Sequence, residues 1–375
     1  PREVYSFYLQ AAALAAEQRM PVILRLTTHV CHAKARVQFG GWDNPPQDTT
    51  PRFSPEHGNY LPITRLVHPM KRMALEKLGA VQQMADDRAW YQQVDHAHPA
   101  RGVITMGLPF LSLMDVLDPL EGKPDILKLN MVYPVPRKAI ATFLRSHAEV
   151  KVLEELDDLL EQEIKRIAWE EQISVRITGK VSLDDWGGEY TPAKVAAVLH
   201  RTWPDRVRAR PPPATVTAPP RPAQMCPGCG HRSAFHAIRQ ALSGEDITVA
   251  DIGCHTLGFL PPYKMGQVLL CMGASPGIGA GLGLFQQSRK VVAFMGDSTF
   301  FHAGAAGVIN AVFNRHNLTL IIMENGTTAM TGHQDHPGVG HNFNDPTSAI
   351  SIRGIMEAYG VPVREVDTYQ QARLI

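Results

Sequence analysis

From residue 101 the chain alternates short apolar runs with longer stretches of helical spacing. GVITMG, FLSLMDVL, DILKLNMV, PRKAIATFLRSH, VKVLEEL and DLLEQEIKRIAW follow one another as strand, helix, strand, helix, strand and helix. Strands separated by helices cannot pair as hairpins; connections of that length return the chain to a parallel neighbour and leave helices covering the sheet. The alternation therefore predicts an α/β fold. Upstream, residues 1 to 28 read as an amphipathic helix followed by the strand PVILRLTT. A connector rich in Pro, Gly and Asn at about 40 to 61 precedes LVHPMKRMALEKLGAVQQMADD, which has helical spacing.

The stretch RARPPPATVTAPPRPAQ at 208–224 carries six prolines and reads as an extended spacer between domains. Beyond it a second α/β unit is expected: a helix after CPGCGHRS, strands ITVADIG and QVLLCMG, a glycine-rich helix, the strand VVAFMG, the helix AGAAGVINAVFNRH and the strand LTLIIMEN. A length of 375 residues accommodates two or three domains. A net charge of +1 gives no reason to expect nucleic acid or an anionic membrane as partner. No apolar run approaches the roughly 20 residues that span a bilayer, so no membrane span is expected. With no recognisable signal peptide and five cysteines, too few for a disulfide scaffold, the expected location is cytoplasmic. The chain opens on Pro1 within what reads as the middle of a domain and closes on DTYQQARLI, the beginning of a helix. It is expected to be a fragment.

Chemistry concentrates around VVAFMGDSTFFHAG at 291–304. A buried strand of a parallel sheet stops at Gly296 and is followed by Asp297, at the strand end where open α/β folds place ligands. Asn325 follows the next strand, 28 residues on. A right-handed crossover brings the two strand ends to the same edge. A carboxylate, an amide oxygen and a backbone carbonyl are hard oxygen ligands suited to Mg²⁺, which keeps its other positions for water and phosphate oxygens. Nearby glycines would let backbone N–H groups approach the same anion. The pattern points to a Mg²⁺-bridged diphosphate.

Rival patterns fit less well. Gly273-Ala274-Ser275-Pro276-Gly277 has the form of a nucleophile elbow, but Pro276 lacks the N–H that such an elbow supplies to the oxyanion. Gly277, Gly279, Gly281 and Gly283 suggest a dinucleotide loop. The strict spacing needs a further glycine where Leu282, Leu284 and Gln286 stand, so close helix–strand packing is the plainer account. Cys226 and Cys229 form half of a zinc site or a redox dithiol, with no second pair at the required spacing. The C-x2-C-x2-C-x3-C run of a bacterial ferredoxin is absent. His333, Asp335, His336 and His341 could bind a metal, and a polar lid explains them equally well. Arg25, Thr27, Thr28 and His32 could hold a substrate carboxylate or simply meet solvent.

GDS at 296–298, a gap of 25 residues, then Glu324-Asn325 resembles the thiamine diphosphate motif written GDG…NN. The wider string CPGCGH…DIGC…GDSTFFHAG…NGTTAMTGHQ resembles the thiamine diphosphate-dependent 2-oxoacid:ferredoxin oxidoreductases. RLTT…H near the start and LKLNMVYPVP near 128 fit as well, and the likeness is strongest from 225 to 340. The resemblance implies a thiamin diphosphate-binding fold, a parallel sheet with helices on both faces, plus a transketolase C-terminal-like α/β domain. By that reading, 1–60 is the tail of a pyrimidine-binding domain with its connector. Residues 61–205 are a helical linker and the transketolase C-terminal-like domain, 206–224 the linker, and 225–375 the diphosphate- and Mg²⁺-binding domain.

The resemblance further implies that Asp297, Asn325 and the carbonyl of Thr327 ligate Mg²⁺. Cys229, Gly230, His231, Gly253, Cys254, Gly273, Gly296 and Ser298 would bind thiamine diphosphate with them, Asp251 would lie beside it, and His231 and His302 would be catalytic. The loop Thr331-Gly332-His333-Gln334 would close over the site. The implied reaction is oxidative decarboxylation of a 2-oxoacid, indolepyruvate or another aryl pyruvate, with coenzyme A and ferredoxin. A beta subunit is the expected partner. Iron–sulfur clusters and the activating glutamate are expected outside this segment, which is not expected to turn over alone. Ser298, Glu324 and His255 depart from the family's usual Gly, Asn and Tyr, and none of the three is a metal ligand. A non-oxidative thiamine diphosphate-dependent decarboxylase is the alternative. A binding module that had kept only the fold would be marked by loss of Asp297 or Asn325, and both are present.

Overall fold

A computed structural model describes residues 2–40, 61–97, 100–205, 207, 223–286, 288–343 and 345–369. The chain divides into two units, Pro1–Val216 and Thr217–Ile375. Most of the proline-rich spacer, and the closing residues 370–375 where a further helix is expected, lie outside the described residues.

The first unit opens with helices α1 (Arg2–Gln18), α2 (Thr28–His32) and α3 (Thr64–Asp87). A sheet follows, built from β1 (Tyr91–Val94), β2 (Arg101–Met106), β3 (Asp125–Leu129), β4 (Glu149–Leu153) and β5 (Arg176–Thr178) in the order β1-β3-β2-β4-β5. Helices α4 (Leu108–Leu117), α5 (Arg137–Arg145), α6 (Leu159–Glu170) and α7 (Pro192–Thr202) connect and cover it. Side chains alternate across a strand. Val103 and Ile126 accordingly join one core with Leu113, Leu117 and Leu199, whereas Ile104 and Leu127 join another with Ile140, Leu144 and Ile164. Burial on both faces is why these strands read as unbroken apolar runs.

Three sequence expectations change here. The sheet is mixed, because β1 pairs antiparallel to β3 with Tyr91 opposite Leu129. Neither β1, β5 nor α7 stood out in the sequence. PVILRLTT forms no strand: residues 21–27 lie outside helix and sheet, and Ile23 is 92% exposed. A strand exists only in a ladder that takes its N–H and C=O groups, and no partner for this run occurs among the described residues.

The second unit contains α8 (Gly230–Ala241), β6 (Ile247–Val249), α9 (Ser275–Phe285), β7 (Val291–Gly296) and α10 (Asp297–Thr299). A π-helical turn over Phe300–Gly304 carries α10 into α11 (Ala305–Phe313), followed by β8 (Thr319–Met323) and α12 (Ile352–Ala358). Its three strands are parallel in the order β6-β7-β8. QVLLCMG, expected as a strand, contributes only an isolated bridge between Val268 and Val249. It is flanked by Gly266 at φ +88° and Gly273 at φ +86°, which turn the backbone out of any ladder. Among the described residues no helix is long and apolar enough to cross a membrane.

The glycine run packs as expected. A Cβ on Gly279 would lie 2.7 Å from Leu318 Cδ1, and one on Gly283 would lie 2.3 Å from the Asn317 carbonyl oxygen. Gly277 and Gly281 have nothing within 4 Å. α9 therefore presses on the strands that carry the site through two glycines one turn apart. Gly283→Ala is expected to lower the unfolding free energy in urea by roughly 1–3 kcal/mol. Gly281→Ala is expected to raise it by about 0.5–1 kcal/mol. Equal effects would show that this packing does not matter.

Candidate active site

β7 is buried from Val291 to Met295 and delivers the chain to Gly296. Asp297, 3% exposed, is the first residue of the helix that leaves the strand. The register sets Gly296 opposite Met323, so the chain leaving β8 emerges beside this carboxylate. Asp297 Oδ2 accepts the N–H groups of Asn325 at 3.0 Å and Gly326 at 2.8 Å, and Oδ1 accepts that of Ser298 at 2.8 Å. Gly326 sits at φ +69°, a conformation that lets two successive amides point at one oxygen.

Oδ1 has capacity left, and two further polar groups converge near it. One terminal atom of the Asn325 amide lies 3.2 Å from Asp297 Oδ1 and 2.8 Å from the Thr327 carbonyl oxygen. With the NH₂ group in that position, the amide bridges the two oxygens. With the amide oxygen there, three acceptors face one another, an arrangement that a hard cation would hold together. The donor set therefore fits Mg²⁺, and its members are the three residues read from the sequence: Asp297, Asn325 and Thr327.

The cleft around this point is also lined by His231, Gly253, Cys254, Gly296 and Ser298, together with Ile252, His255, Met272, Thr299 and Thr328 to Thr331. Four expected site residues are not in its wall. His302 is exposed on the π-helical turn. Cys229 caps α8, with its Sγ 3.2 Å from His231 Nδ1, and Gly230 begins that helix. Gly273 donates its N–H to Asp251 Oδ1 at 2.7 Å, and a Cβ there would lie 2.4 Å from that of Ala303. Its glycine serves packing. Asp251 is fully buried and also takes the N–H groups of Ile252 and Ser275 at 2.8 Å, which holds the start of α9 in place. It organises the wall without joining it.

The loop after Thr327 is tied down by its own hydrogen bonds. Thr328 N–H donates to the Gln334 carbonyl at 2.9 Å, and Gln334 Nε2 donates to the Thr331 carbonyl at 2.7 Å. Thr328 Oγ1 donates to Ser298 Oγ at 2.7 Å, which fastens the loop to the cleft. Among the described residues no group of three or more His, Cys, Asp or Glu side chains is arranged to hold a metal. Arg25, Thr28 and His32 are exposed.

Sequence reasoning missed two residues here. His336 was grouped with a polar lid, yet it is buried with Nε2 3.2 Å from Asp297 Oδ2. His255 is 1% exposed, and its Nε2 has no hydrogen-bond partner among the described residues. Burial, followed by the neighbouring His231, pushes the His255 imidazole down to about 4. Burial also lowers His231, against the pull of Asp297. Burial raises the Cys254 thiol, with Cys229 and Cys226 adding to the effect, and it raises Glu324, with Asp297 the next cause.

These features define a class. Residues 251–374 match the family described as thiamine pyrophosphate enzyme, C-terminal TPP binding domain, and this part of the chain is such a domain. Over 96% of its length the chain is 34% identical to indolepyruvate oxidoreductase subunit IorA of Methanothermobacter marburgensis. Over 92% of its length it is 32% identical to the subunit of the same name from Archaeoglobus fulgidus. It spans 59% and 56% of those relatives' own lengths. A solved 2-oxoglutarate:ferredoxin oxidoreductase from Magnetococcus marinus matches 37% of this chain and 52% of its own, at 21% identity and a TM-score of 0.34.

The depressed His255 value has a consequence for stability. Between its ordinary value of 6.5 and about 4, the unfolded chain takes up a proton that the folded one refuses, so stability falls as pH falls through that window. The loss from this group is on the order of 3 kcal/mol, complete near pH 4. Urea unfolding from pH 7 to 4 should show that slope, and His255→Phe should flatten it.

Proposed function

We propose that this chain supplies the diphosphate- and metal-holding part of a thiamine diphosphate-dependent 2-oxoacid oxidoreductase. The observation that carries the reading is the meeting of Asp297 Oδ1, the Asn325 amide and the Thr327 carbonyl at the end of two parallel strands, within a domain of the thiamine pyrophosphate enzymes. Asp297, Asn325 and Thr327 would hold Mg²⁺ and through it the diphosphate. Bound there, thiamine diphosphate would supply the electron sink that decarboxylation of a 2-oxoacid requires. Cys254, Gly253 and Ser298 line the adjoining wall. His231 lines the cleft, and its lowered proton affinity favours the neutral imidazole, the form that accepts a proton as a base. His302 lies outside the cleft, so the catalytic part is assigned to His231. The tied loop from Thr328 to Gln334 contributes Met330 to the cleft wall, and Met272 is a further apolar lining residue.

The relatives' name favours indolepyruvate or another aryl pyruvate as substrate and the presence of a second subunit. Coenzyme A would accept the acyl group. Ferredoxin would accept the electrons through iron–sulfur clusters carried elsewhere in the enzyme. Calorimetric titration of the full-length enzyme with thiamine diphosphate should show saturable binding that needs Mg²⁺, is reversed by EDTA and is lost in Asp297→Ala. Indolepyruvate should then drive coenzyme A-dependent ferredoxin reduction. Binding that ignores Mg²⁺ or survives Asp297→Ala would overturn the ligand assignment. Carbon dioxide release without ferredoxin reduction would identify a non-oxidative decarboxylase.

A further inference from the structure

His336 is 5% exposed, and two contacts fix its ring. It stacks on Phe301 with centroids 5.6 Å apart and planes 26° from parallel. Its Nδ1 accepts the Gly338 N–H at 3.1 Å. Gly338 is the residue that permits this closure, because a Cβ there would lie 2.8 Å from Phe301 Cε2 and 3.1 Å from His336 Cε1. A nitrogen that accepts cannot also carry the proton of a neutral imidazole, so the proton sits on Nε2. Nε2 lies 3.2 Å from Asp297 Oδ2. Its N–H is not aligned closely enough there to count as a formed hydrogen bond, and it makes no other among the described residues. A buried N–H left without an acceptor is costly, so a small turn of the carboxylate or ring toward alignment is favoured.

We propose that His336 is a positioning residue for the cation site: its Nε2–H holds Asp297 Oδ2, so that Oδ1 stays turned toward Asn325 and the Thr327 carbonyl. The proposal rests on the Mg²⁺ reading given above. Oδ2 then receives three donors, the amides of Asn325 and Gly326 and the imidazole, while Oδ1 receives the backbone amide of Ser298 and faces the Asn325 side-chain amide. The unequal loading pins the plane of the carboxylate and leaves the coordinating lone pair on one oxygen. Groups that orient a metal ligand in this way commonly change metal affinity by about 10–100-fold when removed. His336 comes from the segment beyond the loop and Asp297 from the strand end. The contact therefore also couples loop placement to the metal site.

The test compares shape with donor capacity. Mg²⁺ affinity in the presence of thiamine diphosphate is measured by calorimetry on the full-length enzyme and on His336→Phe, His336→Gln and His336→Met, with thermal unfolding recorded for each. His336→Phe keeps a ring against Phe301 and loses the donor; His336→Gln loses the ring and keeps an N–H at similar reach. The expected result is Mg²⁺ binding weakened on the order of 10-fold or more in His336→Phe and largely restored in His336→Gln. If the ring serves only as packing, the ranking inverts, and the proposal is wrong. If Phe is not accommodated, His336→Met against His336→Gln makes the same comparison at matched length, and equal affinities overturn the proposal. Absence of Mg²⁺-dependent binding in the unaltered enzyme would overturn the proposed function and this proposal together. Dependence on Mg²⁺ with wild-type affinity in His336→Phe would overturn this one alone.

Discussion

A carboxylate without water is costly unless backbone amides or charges replace the solvent. Asp297 meets that requirement with three N–H groups drawn from two places in the sequence, Ser298 beside it and Asn325-Gly326 after the next strand. The same bonds that make its burial tolerable clamp the exit of β8 onto the exit of β7. Everything that faces the cleft from residue 325 to the tied loop depends on that clamp. The clamp depends in turn on the parallel register that brings Gly296 and Met323 side by side.

A second buried aspartate makes an informative contrast. Asp251 follows β6, the neighbour of β7, and also collects three backbone amides. Its partners are Ile252 in the wall, and Gly273 and Ser275 just before and at the start of α9. Asp297 differs because an amide group and a carbonyl oxygen gather beside its less loaded oxygen. Two residues of the same type, at equivalent ends of adjacent strands, thus serve different purposes. What separates them is the set of groups brought to each.

Much of this was legible in the sequence. The runs from GVITMG to DLLEQEIKRIAW and from VVAFMG to LTLIIMEN became strands and helices, because burial on both faces leaves an uninterrupted apolar signature. Asp297, Asn325 and Thr327 converge because a strand–helix–strand crossover has one hand. The failures have physical causes as well. β1 is short, half polar and at an edge, so Tyr91-Gln92-Gln93-Val94 carries little pattern. QVLLCMG is apolar enough for a strand, but two glycines with positive φ bend it away. PVILRLTT lacks a ladder. His336 looked like one of several loop histidines, and only the fold reveals that it alone among them is buried against the carboxylate. Spacing also could not tell that His302 would be exposed while His231 lines the cleft.

The helix that leaves Asp297 passes through a π-helical turn from Phe300 to Gly304 before it settles into α11. Such a turn accommodates one residue more than an ordinary helix would. It sends Phe300 into the core at 0% exposure, while Phe301 lies against His336. An ordinary turn of one residue fewer would shift the phase of all that follows by about 100° relative to the strand end. The apolar stripe that Val308 and Ala311 present to the interior would then be mismatched with the carboxylate that opens the helix. The surplus residue works as a phase adjuster, letting one continuous helix set the Asp297 carboxylate at its first turn and meet a hydrophobic interior at its last. Insertions and deletions should therefore be excluded from this stretch even where side-chain changes are tolerated.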